Sequence, residues 1–166
     1  MKTFKIYILL FIATIAVAKA QFTKAELQVS GLTCSLCAKT TEKSLKALPF
    51  VSEIKPDLMR NVYMITFRND VPVNFEEISK KVKSSGFSVN YLKTTVDLTT
   101  TKLADNTFIV NGDTYKILNA DKALTGPVSL SLIDKGFAPN SVTKKYLGKN
   151  PEIPVSTTGR VYHVAI

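Results

Sequence analysis

Cys34 and Cys37 are the only cysteines in a chain of 166 residues, and they are spaced C-x-x-C. A pair so spaced can hold a soft metal ion, exchange disulfides, or close into an inert structural bridge. Two cysteines cannot build the disulfide framework that holds small secreted scaffolds together. The pair therefore serves local chemistry, and the fold must stand on its core. The surrounding segment, Gly31-Leu32-Thr33-Cys34-Ser35-Leu36-Cys37, lies where a strand pattern gives way to a helical one. A helix N-terminus carries unpaired N–H groups and a partial positive charge, and both favour thiolate over thiol. With one cysteine in the loop and the other in the first turn, both sulfurs can converge on one point. Soft thiolates select Cu(I), Zn(II) and similar ions over Mg(II) or Ca(II). Two ligands suffice for near-linear Cu(I) or Hg(II). A structural zinc site wants four, and no second C-x-x-C or nearby histidine supplies them. The residues alone favour a soft ion of low coordination number, held exposed and exchangeable.

Other soft or basic donors are few. Met59 and Met64 lie in or beside strand patterns, where methionine is usually core filler. His163, the single histidine, alternates with Tyr162 and Val164 near the C-terminus, far in sequence from the cysteines. Sets for catalysis are absent: there is no histidine pair for a zinc protease, no Gly-rich phosphate loop and no nucleophile elbow. The expectation is a protein without catalytic residues that is not an enzyme.

The elements that must position the cysteines can be read from periodicity. Ala25, Leu27 and Val29 alternate with polar residues as a half-buried strand, which Gly31-Leu32-Thr33 breaks. From Ser35 to Leu48, Ala38, Thr41, Leu45 and Leu48 share one helical face, and Pro49 ends the helix. Val51 to Leu58, interrupted by Pro56, suits an edge strand, and Val62 to Phe67 is a second strand. Asn74 with Glu77 marks an N-cap, Phe75, Ile78 and Val82 form an apolar face, and Gly86 stops that helix. Phe87, Val89 and Tyr91 alternate as a last strand. The order β-α-β-β-α-β implies an α+β, ferredoxin-like sheet with both helices on one face.

After Thr94 the texture changes, with Thr99-Thr100-Thr101 polar and aperiodic. Phe108 to Val110, Asn111-Gly112 and Thr114 to Leu118 form a hairpin pattern. Val128, Leu130 and Leu132 alternate, Asn140 or Ser141 can cap a short helix, and Val161 to Ile166 ends the chain as a strand. The organisation expected is a signal peptide at residues 1–20, a metal-binding ferredoxin-fold domain at 21–94, and a small, mostly-β domain at 95–166, a small barrel among its candidate forms.

Residues 25–92 resemble the heavy-metal-associated domain of copper chaperones, metal-transporting ATPases and the periplasmic mercury-binding protein. That family's motif is Gly-Met-Thr-Cys-x-x-Cys. Here it stands as Gly31-Leu32-Thr33-Cys34-Ser35-Leu36-Cys37, and the Gly-aromatic pair before the final strand stands as Gly86-Phe87. The resemblance implies that Cys34 and Cys37 are the metal ligands and that Phe87 is the aromatic beside the metal loop. Leu32 replaces the usual methionine, a near-isosteric apolar swap. The stretch beyond residue 94 has no counterpart in the simple chaperones.

The first residues carry a compartment signal. Met1 to Lys5 is short and basic, Ile6 to Val17 is an apolar run of 12 residues, and Ala18-Lys19-Ala20 has the small-x-small form of a cleavage site. The run is shorter than the roughly 20 apolar residues that a spanning helix needs. Periplasmic or secreted location after cleavage behind Ala20 is expected, with no membrane span left in the mature chain. Loss of Lys2, Lys5 and Lys19 takes the formal charge from +9 to +6. The remaining charge is spread along the chain. Lys80-Lys81-Lys83 and Lys144-Lys145 read as solvated helix faces, which gives no basic stripe for nucleic acid.

The function expected is sequestration or transfer of Cu(I), with mercury, zinc or cadmium as alternatives, and with a metal transporter or another exported protein as partner. Two other readings stand beside it. The same pair could serve a thiol-disulfide oxidoreductase or redox sensor. Alternatively the first domain is only a scaffold, and the second contacts an exported protein.

Overall fold

The structure is a computed structural model that describes residues 21–99, 101, 103–120, 124–148, 155–156 and 159–166. The expected signal peptide and the loop prolines Pro151 and Pro154 lie outside the described residues. Strand β1 (Phe22–Ser30) leads into helix α1 (Ser35–Lys46). Strands β2 (Val51–Asp57) and β3 (Val62–Phe67) follow, then helix α2 (Phe75–Ser84) and strand β4 (Ser88–Asp97). These strands lie in the order β2-β3-β1-β4, and each neighbouring pair is antiparallel. This is the ferredoxin-like arrangement that the β-α-β-β-α-β order requires.

Each element forms for a local reason. Along β1, Phe22, Ala25, Leu27 and Val29 are buried, and Leu27 pairs with Tyr63 on one side and Leu92 on the other. Helix α1 buries Ala38, Thr41 and Leu45 and places Lys43 and Lys46 in its last turn, where cations complement the negative end of the dipole. Helix α2 is charged in the same sense, at both ends. The Glu77 N–H donates to Asn74 Oδ1 at 3.3 Å, Glu76 and Glu77 fill the first turn, and Lys81 and Lys83 the last. The two helices pack side by side, α1 against β2 and α2 against β4.

The second half contributes β5 (Thr107–Val110), β6 (Asp113–Ile117), β7 (Pro127–Leu132), α3 (Asn140–Leu147), β8 (Val155–Ser156) and β9 (Gly159–Ala165). The strands do not close into a barrel. They extend the first sheet, which runs β2-β3-β1-β4-β7-β9-β6-β5, with β8 attached to β9. The boundary expected after Thr94 falls inside β4, which continues to Asp97 and pairs with β7 from Lys93↔Ser131 to Asp97↔Pro127. Thr94 and Thr95, at the expected boundary, are strand residues of β4, and Thr99 lies in the turn after it. Thr94 is fully buried because its hydroxyl donates to the Lys24 carbonyl at 3.0 Å. The β6–β9 pair is parallel, and the two-residue turn Asn111-Gly112 joins β5 to β6.

One apolar cluster runs beneath both halves. The Phe75 ring, at the start of α2, meets Phe22 and Phe67 from the first sheet strands and Tyr115 and Tyr162 from β6 and β9. Helix α3 differs from expectation at its start. Pro139 occupies the N-cap position without a side-chain bond, and Thr143 is the buried residue of the helix. Among the described residues, no helix is long and apolar enough to cross a membrane.

Candidate metal centre

The chain leaves β1 at Gly31, whose φ of +91° lies in the region open to glycine. Leu32 then turns inward and packs into the apolar cluster, which anchors the loop. Cys34 is the N-cap of α1, in an extended conformation, and Cys37 lies within the first turn. Their Cα atoms are 5.4 Å apart, and the two sulfurs are joined as a disulfide. The convergence inferred from the spacing is therefore realised. Cys34 is exposed, and Cys37 is half-buried against the core.

The electrostatics at this point favour negative charge on sulfur. The Cys37 N–H donates to Cys34 Sγ at 3.1 Å. No acidic residue occupies the first turn of α1 to offset the partial positive charge there. In the disulfide state the sulfurs are neutral. After reduction by two electrons and two protons, the same N–H faces a thiol or thiolate, and it favours the thiolate.

The first turn of α1 is held from below. Thr41 is fully buried, and its hydroxyl donates to the Cys37 carbonyl at 3.0 Å. The Tyr63 hydroxyl, from β3, donates to the Ala38 carbonyl at 2.9 Å. Burial raises the Tyr63 pKa above the usual phenol range, with the nearby Glu42 charge adding to it. The sequence places Thr41 on the helix face and Tyr63 in a strand but gives neither a role at the site. A hydroxyl on the apolar face of each element, Thr41 in the helix stripe and Tyr63 in an apolar strand, was the signal available.

Phe87 reaches the loop from the opposite side. Helix α2 ends in a Schellman motif: the Gly86 N–H donates to the Lys83 carbonyl at 2.9 Å, and the Phe87 N–H to the Val82 carbonyl at 3.2 Å. This closure needs the φ of +86° at Gly86. It delivers the half-buried Phe87 ring against Gly31, where a β-carbon would lie 3.5 Å from Phe87 Cδ1.

The remaining sequence candidates divide. Met59 is at the tip of the β2–β3 turn and is 95% exposed. Met64 lies in mid-strand, paired with Glu26 and Lys55. His163 belongs to a different site. It is buried, its Nδ1 lies 2.8 Å from Asp134 Oδ1, and its backbone N–H donates to Asp134 Oδ2 at 2.7 Å. Among the described residues, no group of three or more His, Cys, Asp or Glu side chains is arranged to hold a metal. A cation at Cys34 and Cys37 would thus have two protein sulfurs and an open side, as the chemistry of Cu(I) or Hg(II) permits.

The comparisons with known proteins fall on this part of the chain. The model of the heavy-metal-associated domain matches residues 26–88. The probable copper-transporting ATPase HMA5 of Arabidopsis thaliana is 33% identical over 70 residues, which is 42% of this chain and 7% of that protein. This chain thus corresponds to a small fraction of that curated relative. Among solved structures, the yeast copper transporter domain Ccc2a is 30% identical, over 40% of this chain and 90% of that one, with a TM-score of 0.36. Oxidized MerP from Ralstonia metallidurans is 25% identical over 42% of this chain and 96% of that one, with a TM-score of 0.35. Residues 26–88 of this chain are a heavy-metal-associated domain.

Proposed function

We propose that this protein is an exported carrier that sequesters or transfers Cu(I) through the reduced thiolates of Cys34 and Cys37. The single observation that carries the reading is the convergence of two sulfurs at the exposed opening turn of α1. Two thiols bind the cation with release of two protons and with no change of oxidation state. The disulfide form cannot bind, so a reductant must open the pair first. Mercury, zinc and cadmium are competing cargoes for the same sulfurs. The heavy-metal-associated domain and the copper-transporting ATPase among its relatives support the choice of copper. The copper-transporting ATPase also supports a metal transporter as the partner, with another exported protein as the alternative.

Export rests on residues 1–20, with their basic start, apolar run and Ala18-Lys19-Ala20 site. On this reading the protein is a carrier and not an enzyme. The decisive test is titration of the reduced mature protein with Cu(I), beside the Cys34→Ser/Cys37→Ser variant. Binding of one equivalent by the first and none by the second is expected, and equal binding by both ends the proposal. Elemental analysis of protein from the exported fraction, purified under reducing and metal-sparing conditions, then names the cargo.

The disulfide favours one second reading, a thiol-disulfide oxidoreductase or redox sensor. It requires catalytic turnover in a disulfide-reduction assay that chelators leave unchanged.

A further inference from the structure

Met59 is 95% exposed at the tip of a turn, a position that usually carries Gly, Pro, Asn, Asp or Ser. Methionine gains stability by burial, and Met59 gains none. The turn does not need it either. The Asp57 carboxylate accepts the Arg60 backbone N–H at 3.2 Å and Arg60 Nε at 2.7 Å, and Asn61 takes the positive φ of 52°. Those neighbours fix the turn's shape, and Met59 is left projecting.

The turn also lies at the cysteine end of the sheet. The Asn61 carbonyl accepts the Val29 N–H at 3.1 Å, which clips the turn to the end of β1, two residues before Gly31. Leu58, next to Met59, lines a groove of about 330 Å³ together with Ser35 and Leu36. Those two residues are the ones between Cys34 and Cys37. Leu36 is itself 74% exposed. Met59 thus projects from the turn beside Leu58, the residue that faces Ser35 and Leu36 across this groove.

We propose that Met59 is a third soft donor at the mouth of this site, which captures a thiophilic monovalent cation and passes it to Cys34 and Cys37. The inference rests on the dithiolate reading given above. A thioether is neutral, holds Cu(I) or Ag(I) through a sulfur lone pair, and selects soft ions over hard ones. Its capture step therefore releases no proton. In the hand-off, the two thiols lose their protons to solvent and bind the cation as thiolates in place of the thioether, and Met59 is freed. No electron is transferred. Thiolates bind more strongly than a thioether, so the cation moves inward.

Met64 provides an internal control, since it lies in the middle of β3 away from this end. The test uses the reduced mature chain carrying methyl-¹³C methionine, titrated with Ag(I) as a redox-inert probe, while the cysteine Cβ signals are followed. The expected result is movement of both cysteine signals and of the Met59 methyl signal, with Met64 unchanged. In Met59→Leu, the cysteine stoichiometry stays the same. Transfer of Ag(I) from a competing chelator slows on the order of tenfold, the lower end of what residues around a metal's principal ligands contribute to affinity or activity. Cysteine movement with a stationary Met59 methyl, or an unchanged transfer rate in Met59→Leu, overturns the proposal and leaves the dithiolate site intact. Stationary cysteine signals overturn both.

Discussion

The Tyr63 hydroxyl reaches across from β3 to the Ala38 carbonyl at 2.9 Å, one residue after Cys37. Tyr63 is 1% exposed, and its bond ties the first turn of α1 to the sheet. Replacing it with phenylalanine keeps the ring and removes the donor. Tyr63→Phe is expected to cost about 1 kcal/mol, the net value of a neutral hydrogen bond. The loss should be local, so amide exchange in the first turn of α1 should quicken more than exchange in β1. Denaturant titration and hydrogen exchange together check this.

Gly31 is held at a φ of +91°, a conformation that a β-carbon disfavours. The added carbon would meet Phe87 Cδ1 at 3.5 Å, which is ordinary contact. The cost of Gly31→Ala is therefore backbone strain and not collision, about 1–2 kcal/mol. The loop should relax by moving the chain that follows, so Cu(I) affinity should fall with stability. Phe87→Leu keeps an apolar neighbour and leaves the strain unaltered. It should change affinity less than Gly31→Ala, and competition with a chelator for Cu(I) measures both.

The geometry of the candidate site was legible in the sequence because its signals are local. Gly31, the cysteine spacing and the strand-to-helix switch all lie within a few residues of each other, and helix caps such as Asn74 announce themselves at a fixed offset. What escaped was decided over distance. Thr94 reads as a linker residue until the Lys24 carbonyl, 70 residues away, accepts its hydroxyl proton. The β strands after residue 98 give good local patterns, yet nothing local says that β7 must join β4 or that β9 must run parallel to β6. His163 reads as either a surface or a satisfied residue, and only the pairing with Asp134 decides between them, because a burial partner leaves no periodic trace.

Asp134 is 1% exposed, and its two carboxylate oxygens serve the ring and the backbone N–H of His163. Asp134→Ala strands that buried N–H, at a cost of about 1–3 kcal/mol. His163 stands apart from the cysteines, so the number of Cu(I) ions bound should stay the same. A melting curve and a Cu(I) titration on one sample separate these effects. A lost equivalent of metal would place His163 among the ligands.

Alkaline pH should unfold the protein through its tyrosines. Burial raises the pKa of Tyr63, Tyr115 and Tyr162 above the usual phenol value. Tyr91, raised by burial and by its bond to Glu26, is pushed up to about 12. A raised pKa means that the fold prefers the neutral phenol. That preference is fully present below about pH 10, the unfolded value, and is lost as the pH climbs through the folded values. Stability should be level with respect to these groups up to about pH 10 and fall above it, with phenolate absorbance rising as the structure melts. Tyr115 should ionise only with unfolding, since it lies stacked between Phe108 and Tyr162.

The two halves should melt as one body, and Phe75 is the residue that tests this. Its ring centroid lies 4.9 Å from that of Phe22 and 6.2 Å from Phe67, both in the metal-binding half. The same ring lies 6.4 Å from Tyr115 and 6.1 Å from Tyr162, in the strands added after residue 98. Phe75→Ala removes contacts to both sides at once, at a cost of about 3–5 kcal/mol. A chain of this size should lose on the order of 10 °C in Tm. If the continuous sheet and shared core are one cooperative unit, backbone and aromatic circular dichroism must fall together at the new midpoint. If instead the aromatic signal of the added strands melts ahead of the helices, the halves are independent and the shared core does not couple them. The same result would mean that the added strands do not brace the helix whose Schellman end holds Phe87 against the cysteine loop.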